Sequence, residues 1–207
     1  MSPSAHHPRH PRHPRHAEIC AVLQRRGIVV MRTDTVYGLH GVAPDTGARL
    51  AHLKGRDEAK RMLVLVADAA GAEAVTGAAP PPALAALWPG PLTIVLPVVA
   101  RSARGLGVTT LGVRVPGDPA LRAIVAEVGA PIYSTSANRA GEPPLHDHDA
   151  LQRAFGAAAD LLVYDGPPSA ARPSTVVDAT VSPARVVRAG ALAISADQLA
   201  GRSGRSG

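Results

Sequence analysis

Nothing limits the fold of this 207-residue chain more than the rhythm of its apolar residues. Short β-branched runs of three to five residues alternate with segments of helical spacing, the habit of an α/β domain. Strands are predicted at residues 28–31, 62–66, 93–96, 112–115, 132–134, 161–164, 175–178 and 185–188. Helices are predicted at 17–26, 46–53, 82–87, 119–128 and 149–155. Only six residues separate Asp178 from Arg185, too few for a helical crossover. Some strands must therefore pair antiparallel, and the sheet is mixed. The length suits one buried core, so the reading is a single α/β domain over residues 17–200.

The ends of the chain differ from this body. Residues 1–16 carry a repeated His-Pro-Arg unit in which proline recurs every third residue and forbids a regular helix, which predicts a disordered tail. Residues 201–207, rich in Gly, Ser and Arg, predict a second flexible tail. The tails also explain the formal charge of +6, because Arg9, Arg12, Arg15, Arg202 and Arg205 lie in them and the body without them stands at +1. A near-neutral body with five aromatic residues offers few stacking platforms for a nucleic-acid strand. The one cysteine, Cys20, sits in an apolar helical pattern and excludes a disulfide framework or a thiolate metal cluster within one chain. A reducing, cytoplasmic location fits that usage, and no apolar stretch is long enough to cross a bilayer.

The chemistry is concentrated where apolar runs end. Arg32-Thr33-Asp34-Thr35-Val36-Tyr37-Gly38 offers hydroxyls and a carboxylate after the first strand. Lys54-Gly55-Arg56, followed by Lys60 and Arg61, places a point charge and a planar fork where they can address a polyphosphate from two sides, and the same cations equally suit a solvated helix C-terminus. Trp88-Pro89-Gly90-Pro91 has the stiffness to shape a crevice. Arg114, inside an apolar run near Thr110, is costly to bury without an anion, and a substrate carboxylate would serve. Ser134-Thr135-Ser136-Ala137-Asn138 supplies three hydroxyls and an amide that hold phosphate oxygens without adding charge, and Ser174-Thr175 and Arg188-Ala189-Gly190 complete the set. The chain has neither a GxxxxGK[ST] loop nor a GxGxxG turn. His146-Asp147-His148-Asp149 has metal-ligand residue types, but its place before a predicted helix reads as loop and N-cap chemistry.

Taken in order, TDTVYGL from Thr33, KGR from Lys54, WPGPLT from Trp88, VRVP from Val113, STSAN from Ser134, STVVD from Ser174 and RAG from Arg188 make the chain resemble the YrdC-like threonylcarbamoyl-AMP synthases. That resemblance implies a twisted mixed sheet flanked by helices, with a concave basic cavity. It implies L-threonine, bicarbonate and ATP as substrates, and threonylcarbamoyl-AMP and pyrophosphate as products. The adenylate would pass to a downstream tRNA threonylcarbamoyl-transferase complex for tRNA modification. By the same likeness ATP would meet Lys54, Arg56, Lys60, Thr110, Ser136, Asn138 and Arg188, with Lys54 and Arg56 catalytic. Threonine would meet Thr33, Arg114, Ser134 and Ser174. Mg2+ would arrive with ATP, and no protein-bound metal is implied. The chain departs from the family pattern at Arg32, Asp57, Arg61 and Ala140. A competing expectation is a non-catalytic YrdC-like module that holds tRNA or ribosomal RNA, whose affinity would fall steeply with salt.

Overall fold

The computed structural model describes residues 12–55, 62–99, 106–168 and 172–202. In chain order the elements are α1 (His16–Gln24), β1 (Val29–Arg32), β2 (Tyr37–Val42), α2 (Gly47–Lys54), β3 (Leu63–Leu65), α3 (Ala69–Thr76), α4 (Pro82–Ala85) and β4 (Leu92–Pro97). There follow β5 (Thr110–Arg114), α5 (Pro119–Val128), β6 (Ile132–Ser136), α6 (His148–Phe155), β7 (Leu161–Leu162), β8 (Thr175–Asp178), β9 (Arg185–Arg188) and α7 (Ala196–Leu199). Local chemistry sets the helix ends. Asp118 accepts from the Ala120 and Leu121 amides to open α5, with Pro119 in its first turn, and Gly129 closes it at φ 69°. Asp147 caps α6 by accepting from the Ala150 amide, so the His146–Asp149 stretch does the capping its sequence predicts.

The nine strands form one sheet in the order β7-β1-β2-β6-β3-β5-β4-β8-β9. Strand pairs β1/β7, β3/β5 and β4/β8 are parallel. The other pairs are antiparallel, including the β8/β9 hairpin that the short gap after Asp178 demands. Because side chains alternate across a strand, the registers sort the residues onto two faces. Val30, Leu39, Val64, Ile94 and Val113 share one face and join Leu50 of α2, Leu84 of α4 and Leu151 and Phe155 of α6 in the larger core cluster. Val29, Met31, Val42, Leu65 and Ile132 share the other face, under Ile19 and Leu23 of α1 and Leu121, Ile124 and Val125 of α5. The registers carry this second face onward to Gly38, Ser134, Ser136, Leu63, Gly112 and Arg114. That continuation is where a cavity opens.

Three elements were not legible as such. β2 is buried at all six positions, but it reads Tyr-Gly-Leu-His-Gly-Val, and two glycines with a histidine hide a central strand. α3 is built largely of alanine and has no apolar stripe to mark it; Asp68 caps it and Gly77 ends it at φ 73°. α7 is a single turn fixed by a Ser195/Gln198 capping box. The strand predicted at 161–164 shrinks to two residues.

The N-terminal boundary also needs correction, since residues 12–16 are docked on the body rather than part of a disordered tail. His13 Nε2 lies 2.9 Å from Asp165, Arg15 forks onto Glu18 and donates to the Leu162 carbonyl, and His16 is buried as the first residue of α1. The prolines of the repeat stop at Pro14, which frees the next residues to enter the helix.

Candidate active site

A cavity of about 150 Å³ opens on the α1/α5 face of the sheet, beyond the part those helices cover. Its wall takes residues from the end of β1 through β2, from β3, β5 and β6, and from the segments around Ser174 and Arg188. Six of the predicted site residues that fall within the described chain meet around it: Thr33, Arg114, Ser134, Ser136, Ser174 and Arg188 all line this space.

Arg114 forms its floor. The guanidinium is 3% exposed, and its Nη2 donates to Asp34 at 2.6 Å, its Nη1 to Thr35 Oγ1 at 3.1 Å and its Nε to the Gly90 carbonyl at 3.1 Å. The buried charge therefore has its counter-ion within the chain. The expectation that a substrate carboxylate is the partner that permits burial is corrected to Asp34. Asp34 is itself fixed by the Gly117 amide at 2.9 Å. A guanidinium has five N–H hydrogens, so two remain beyond these bonds. Burial lowers the proton affinity of Arg114, and Asp34 opposes that effect.

From Arg114 a file of hydroxyls runs back to the turn after β1. Thr35 accepts from Arg114 and lies 2.9 Å from Thr33 Oγ1, which donates to the Val36 carbonyl at 3.1 Å. The Thr33 hydroxyl is thus held by a polarised chain rather than free to rotate. On the other wall, Arg188 donates to the Ser174 carbonyl at 2.8 Å, and Ser174 Oγ sits 2.8 Å from Thr93 Oγ1. Partial desolvation of its guanidinium against Ser174, then the nearby Arg114, lowers the proton affinity of Arg188, although the residue as a whole is exposed. Two guanidiniums facing one small space, with a single carboxylate between them, leave an excess of positive potential that suits an anion. Gly190 permits this arrangement. A Cβ there would fall 2.4 Å from the Pro173 carbonyl oxygen and from the Ser174 carbonyl carbon, so only glycine lets the Arg188 segment close on Ser174.

Lys54, at the end of α2, is buried beside this cavity. Its Nζ donates to the Ser136 carbonyl at 2.7 Å and to Asn138 Oδ1 at 2.6 Å, and the Ser136 hydroxyl donates to the same Oδ1. Asn138 Nδ2 in turn donates to the Glu142 carbonyl at 2.6 Å. The predicted phosphate-binding trio Lys54, Ser136 and Asn138 is thereby one connected unit. Thr110 is not in the cavity wall. It shares the sheet face of Arg114 but lies four residues back along β5, roughly 13 Å away at ordinary strand rise. Gly112 lies between them and offers no side chain. Arg56, Lys60, Asp57 and Arg61 fall outside the described residues. Arg32 points elsewhere, lining a separate surface recess with Arg12 and Asp118, and Ala140 donates its amide to the Lys54 carbonyl at 2.9 Å.

Thr35 and Thr93 belong to the segments singled out in the sequence but are not among its predicted site residues, and both act through a neighbour. The repeat of threonine on either side of Asp34 was the available signal for the first. The second was visible only as the strand-entry residue of the Trp88-Pro-Gly-Pro segment. That segment does shape the crevice: Trp88 Nε1 donates to the Leu92 carbonyl at 2.7 Å, and Gly90 presents its carbonyl to Arg114. The cavity wall contains hydroxyls and guanidiniums but no cysteine, histidine or carboxylate among the described residues. Such a set positions and polarises; it does not supply an activated nucleophile.

Known proteins resemble this chain in sequence and fold. The family model for the Sua5/YciO/YrdC domain, described as "Telomere recombination", matches residues 21–190. The threonylcarbamoyl-AMP synthase of Chromohalobacter salexigens is 40% identical over 176 residues, spanning 78% of this chain and 91% of the relative. The Bacillus subtilis protein of the same name is 37% identical over 135 residues, 61% of this chain and 39% of its own. Among solved structures, P. abyssi Sua5 complexed with L-threonine superposes with a TM-score of 0.74 at 28% identity, covering 84% of this chain and 54% of that one. E. coli YciO shares the fold, with a TM-score of 0.75 at 23% identity over 87% of this chain and 93% of its own.

Proposed function

Because this chain belongs to the Sua5/YciO/YrdC family, we propose that it is an enzyme of the nucleotidyltransferase type that makes threonylcarbamoyl-AMP from L-threonine, bicarbonate and ATP. The observation that carries this reading is the cavity, where Arg114 and Arg188 converge on one space walled by Thr33, Ser134 and Ser174. Two guanidiniums with hydroxyls around them suit a small zwitterion whose carboxylate needs a positive partner and whose own hydroxyl needs a hydrogen bond. The threonine-bound structure of P. abyssi Sua5 supports the same occupant.

In this reading the threonine carboxylate takes the two remaining N–H hydrogens of Arg114. Thr33, Ser134 and Ser174 fix the amino acid so that its amine faces the open side. The amine captures CO2, supplied by bicarbonate, and loses a proton to form a carbamate. A carbamate oxygen then attacks the α-phosphorus, the bond from that phosphorus to the bridging oxygen breaks, and pyrophosphate leaves. Lys54, Ser136 and Asn138, with Arg56, Lys60, Thr110 and Arg188, hold the triphosphate in line. Thr110, some 13 Å along β5 from Arg114, lies at a separation suited to a nucleotide laid across Gly112. Mg2+ would be carried in on the phosphate oxygens. When bound it neutralises phosphate charge. Rate enhancement comes from positioning two substrates and from charge stabilisation, and one charged contact is worth about 3 kcal/mol, roughly a hundredfold. The adenylate then serves a downstream transferase complex that modifies tRNA. Among the described residues no helix is long and apolar enough to cross a membrane, and the reaction needs none.

The test is pyrophosphate release by the purified chain with MgATP and bicarbonate, with and without L-threonine. Release that requires threonine supports the proposal; release at the same rate with threonine omitted contradicts it.

A further inference from the structure

Outside the wall of the candidate active-site cavity, three side chains of metal-ligating type meet between α1 and α5. His16 and Cys20 are four residues apart on α1 and so lie on one helix face, and Glu127 reaches them from the last turn of α5. Their ligand atoms all lie within 4.8 Å of one another. His16 Nε2 is 2.9 Å from Glu127 Oε2, and both α1 residues are buried while the carboxylate stays half exposed. We propose that His16, Cys20 and Glu127 form a binding site for one zinc-like divalent transition-metal ion that clamps α1 to α5.

The donor set identifies the class of ion. One thiolate, one imidazole and one carboxylate form the mixed soft and borderline set that Zn2+ takes, and three protein ligands leave a fourth position for water or another side chain. Hard cations such as Mg2+ and Ca2+ would not select a sulfur and a nitrogen among three ligands. The geometry is nearly in place. Tetrahedral Zn–N and Zn–O bonds of about 2.0–2.1 Å set those two ligand atoms roughly 3.3 Å apart, so the present 2.9 Å contact needs to open by only a few tenths of an ångström.

Two independent observations point to a ligand rather than to an ordinary ion pair. The first is the burial of the imidazole: His16 is 5% exposed and its Nδ1 has no hydrogen-bond partner among the described residues, so the Nε2 that faces Glu127 is the one nitrogen through which this ring is held. Burying an imidazole with one nitrogen unsatisfied is costly, and a single partly exposed carboxylate on the other nitrogen is weak compensation. A metal–nitrogen bond is a strong one. The second is the sequence before it: His6, His7, His10 and His13 precede His16 along a chain that is already docked at residues 12–16. Histidine-rich stretches of this composition bind the same class of ion. His13 is engaged with Asp165, so it is not one of the three ligands.

The ion would leave the catalytic cavity untouched, because none of the three ligands lines it. Its effect would be on how firmly α1 and the docked residues before it hold to α5. Coordination ionises the Cys20 thiol, and the released proton goes to solvent.

Cobalt(II) is the probe that separates this site from the histidine stretch, since only thiolate ligation gives an intense near-ultraviolet sulfur-to-cobalt charge-transfer band. The full chain, purified without an affinity tag and stripped of metal, is titrated with CoCl2. The expected result is that band rising to saturation at one Co2+ per chain, displaced by ZnCl2, absent in Cys20→Ala, and retained when His6, His7 and His10 are all replaced by alanine. The melting temperature should rise with Zn2+ in the wild type and in the triple variant, but not in Cys20→Ala, whose threonine-dependent activity should match the wild type. Circular dichroism checks that Cys20→Ala is folded, and His16→Gln, which should lose the tetrahedral visible bands, gives a second route if it is not. Cobalt binding without the band, or no binding at all, overturns the proposal whether or not the chain proves to be a synthase.

Discussion

The two walls of the cavity solve the same problem differently. On the inner wall, Arg114 is buried in the middle of the sheet and is answered by Asp34, Thr35 and the Gly90 carbonyl. On the outer wall, Arg188 sits on edge strand β9, whose four residues are exposed, and among the described residues it is held by the carbonyl and hydroxyl of Ser174. The inner wall is thus nearly charge-balanced and rigid before any ligand arrives, whereas the outer wall contributes the uncompensated positive charge. Orientation is built into the first and attraction into the second. Fold stability and activity should therefore separate between them.

The largest effect is expected at Arg114. Replacement by alanine strands Asp34, whose side chain is only 16% exposed, and breaking such a pair from one side costs about 3–5 kcal/mol. Chemical denaturation measures the loss, and activity should vanish with it. The combined replacement Asp34→Asn with Arg114→Met should recover much of the stability and none of the activity. Equal stability in Arg114→Ala and the wild type would mean that the inner wall is not prebuilt.

His40 tests the same wall through pH. It is fully buried next to the cavity floor, and burial first, then Arg114, pushes its pKa down from 6.5 to about 4, with the Met31 carbonyl opposing. Between those values the unfolded chain binds a proton that the folded chain refuses. The stability contribution is complete above pH 6.5 and is lost as pH falls towards 4, by about 3 kcal/mol in all. Urea unfolding of His40→Gln should show a shallower decline over this window than the wild type. Parallel curves would remove His40 from the account.

Arg188→Ala carries the smallest structural penalty and the cleanest functional one. Its exposed strand should lose less than about 1 kcal/mol of stability. The kcat/KM for ATP should fall roughly a hundredfold. A stability loss as large as that of Arg114→Ala would erase the distinction between the walls.

How much of this was visible in the sequence depends on what each residue contacts. The strands carrying Arg114, Ser134 and Thr175 were legible because β-branched runs end in polar residues, and those polar ends are the site. β2 was not, because its glycines and His40 serve the crowded sheet interior: a Cβ at Gly38 would lie 2.7 Å from the His40 ring. The need of Arg114 for an anion was legible, but its identity was not, since Asp34 is eighty residues away in sequence and is delivered by the turn after β1. The linkage of Lys54 to Asn138 across eighty-four residues was likewise a matter of tertiary packing. The docking of residues 12–16 escaped because their partners, Asp165, Leu162 and Glu127, lie more than a hundred residues away in sequence.

The central claim is that this cavity joins an amino acid, a one-carbon unit and an adenylate. Mass spectrometry of the product formed from L-threonine, MgATP and ¹³C-bicarbonate tests it most directly. The account predicts a single adenylate that contains threonine and carries one ¹³C atom, formed together with pyrophosphate. An adenylate without the label, or ATP left unchanged while threonine and bicarbonate are both present, would contradict it.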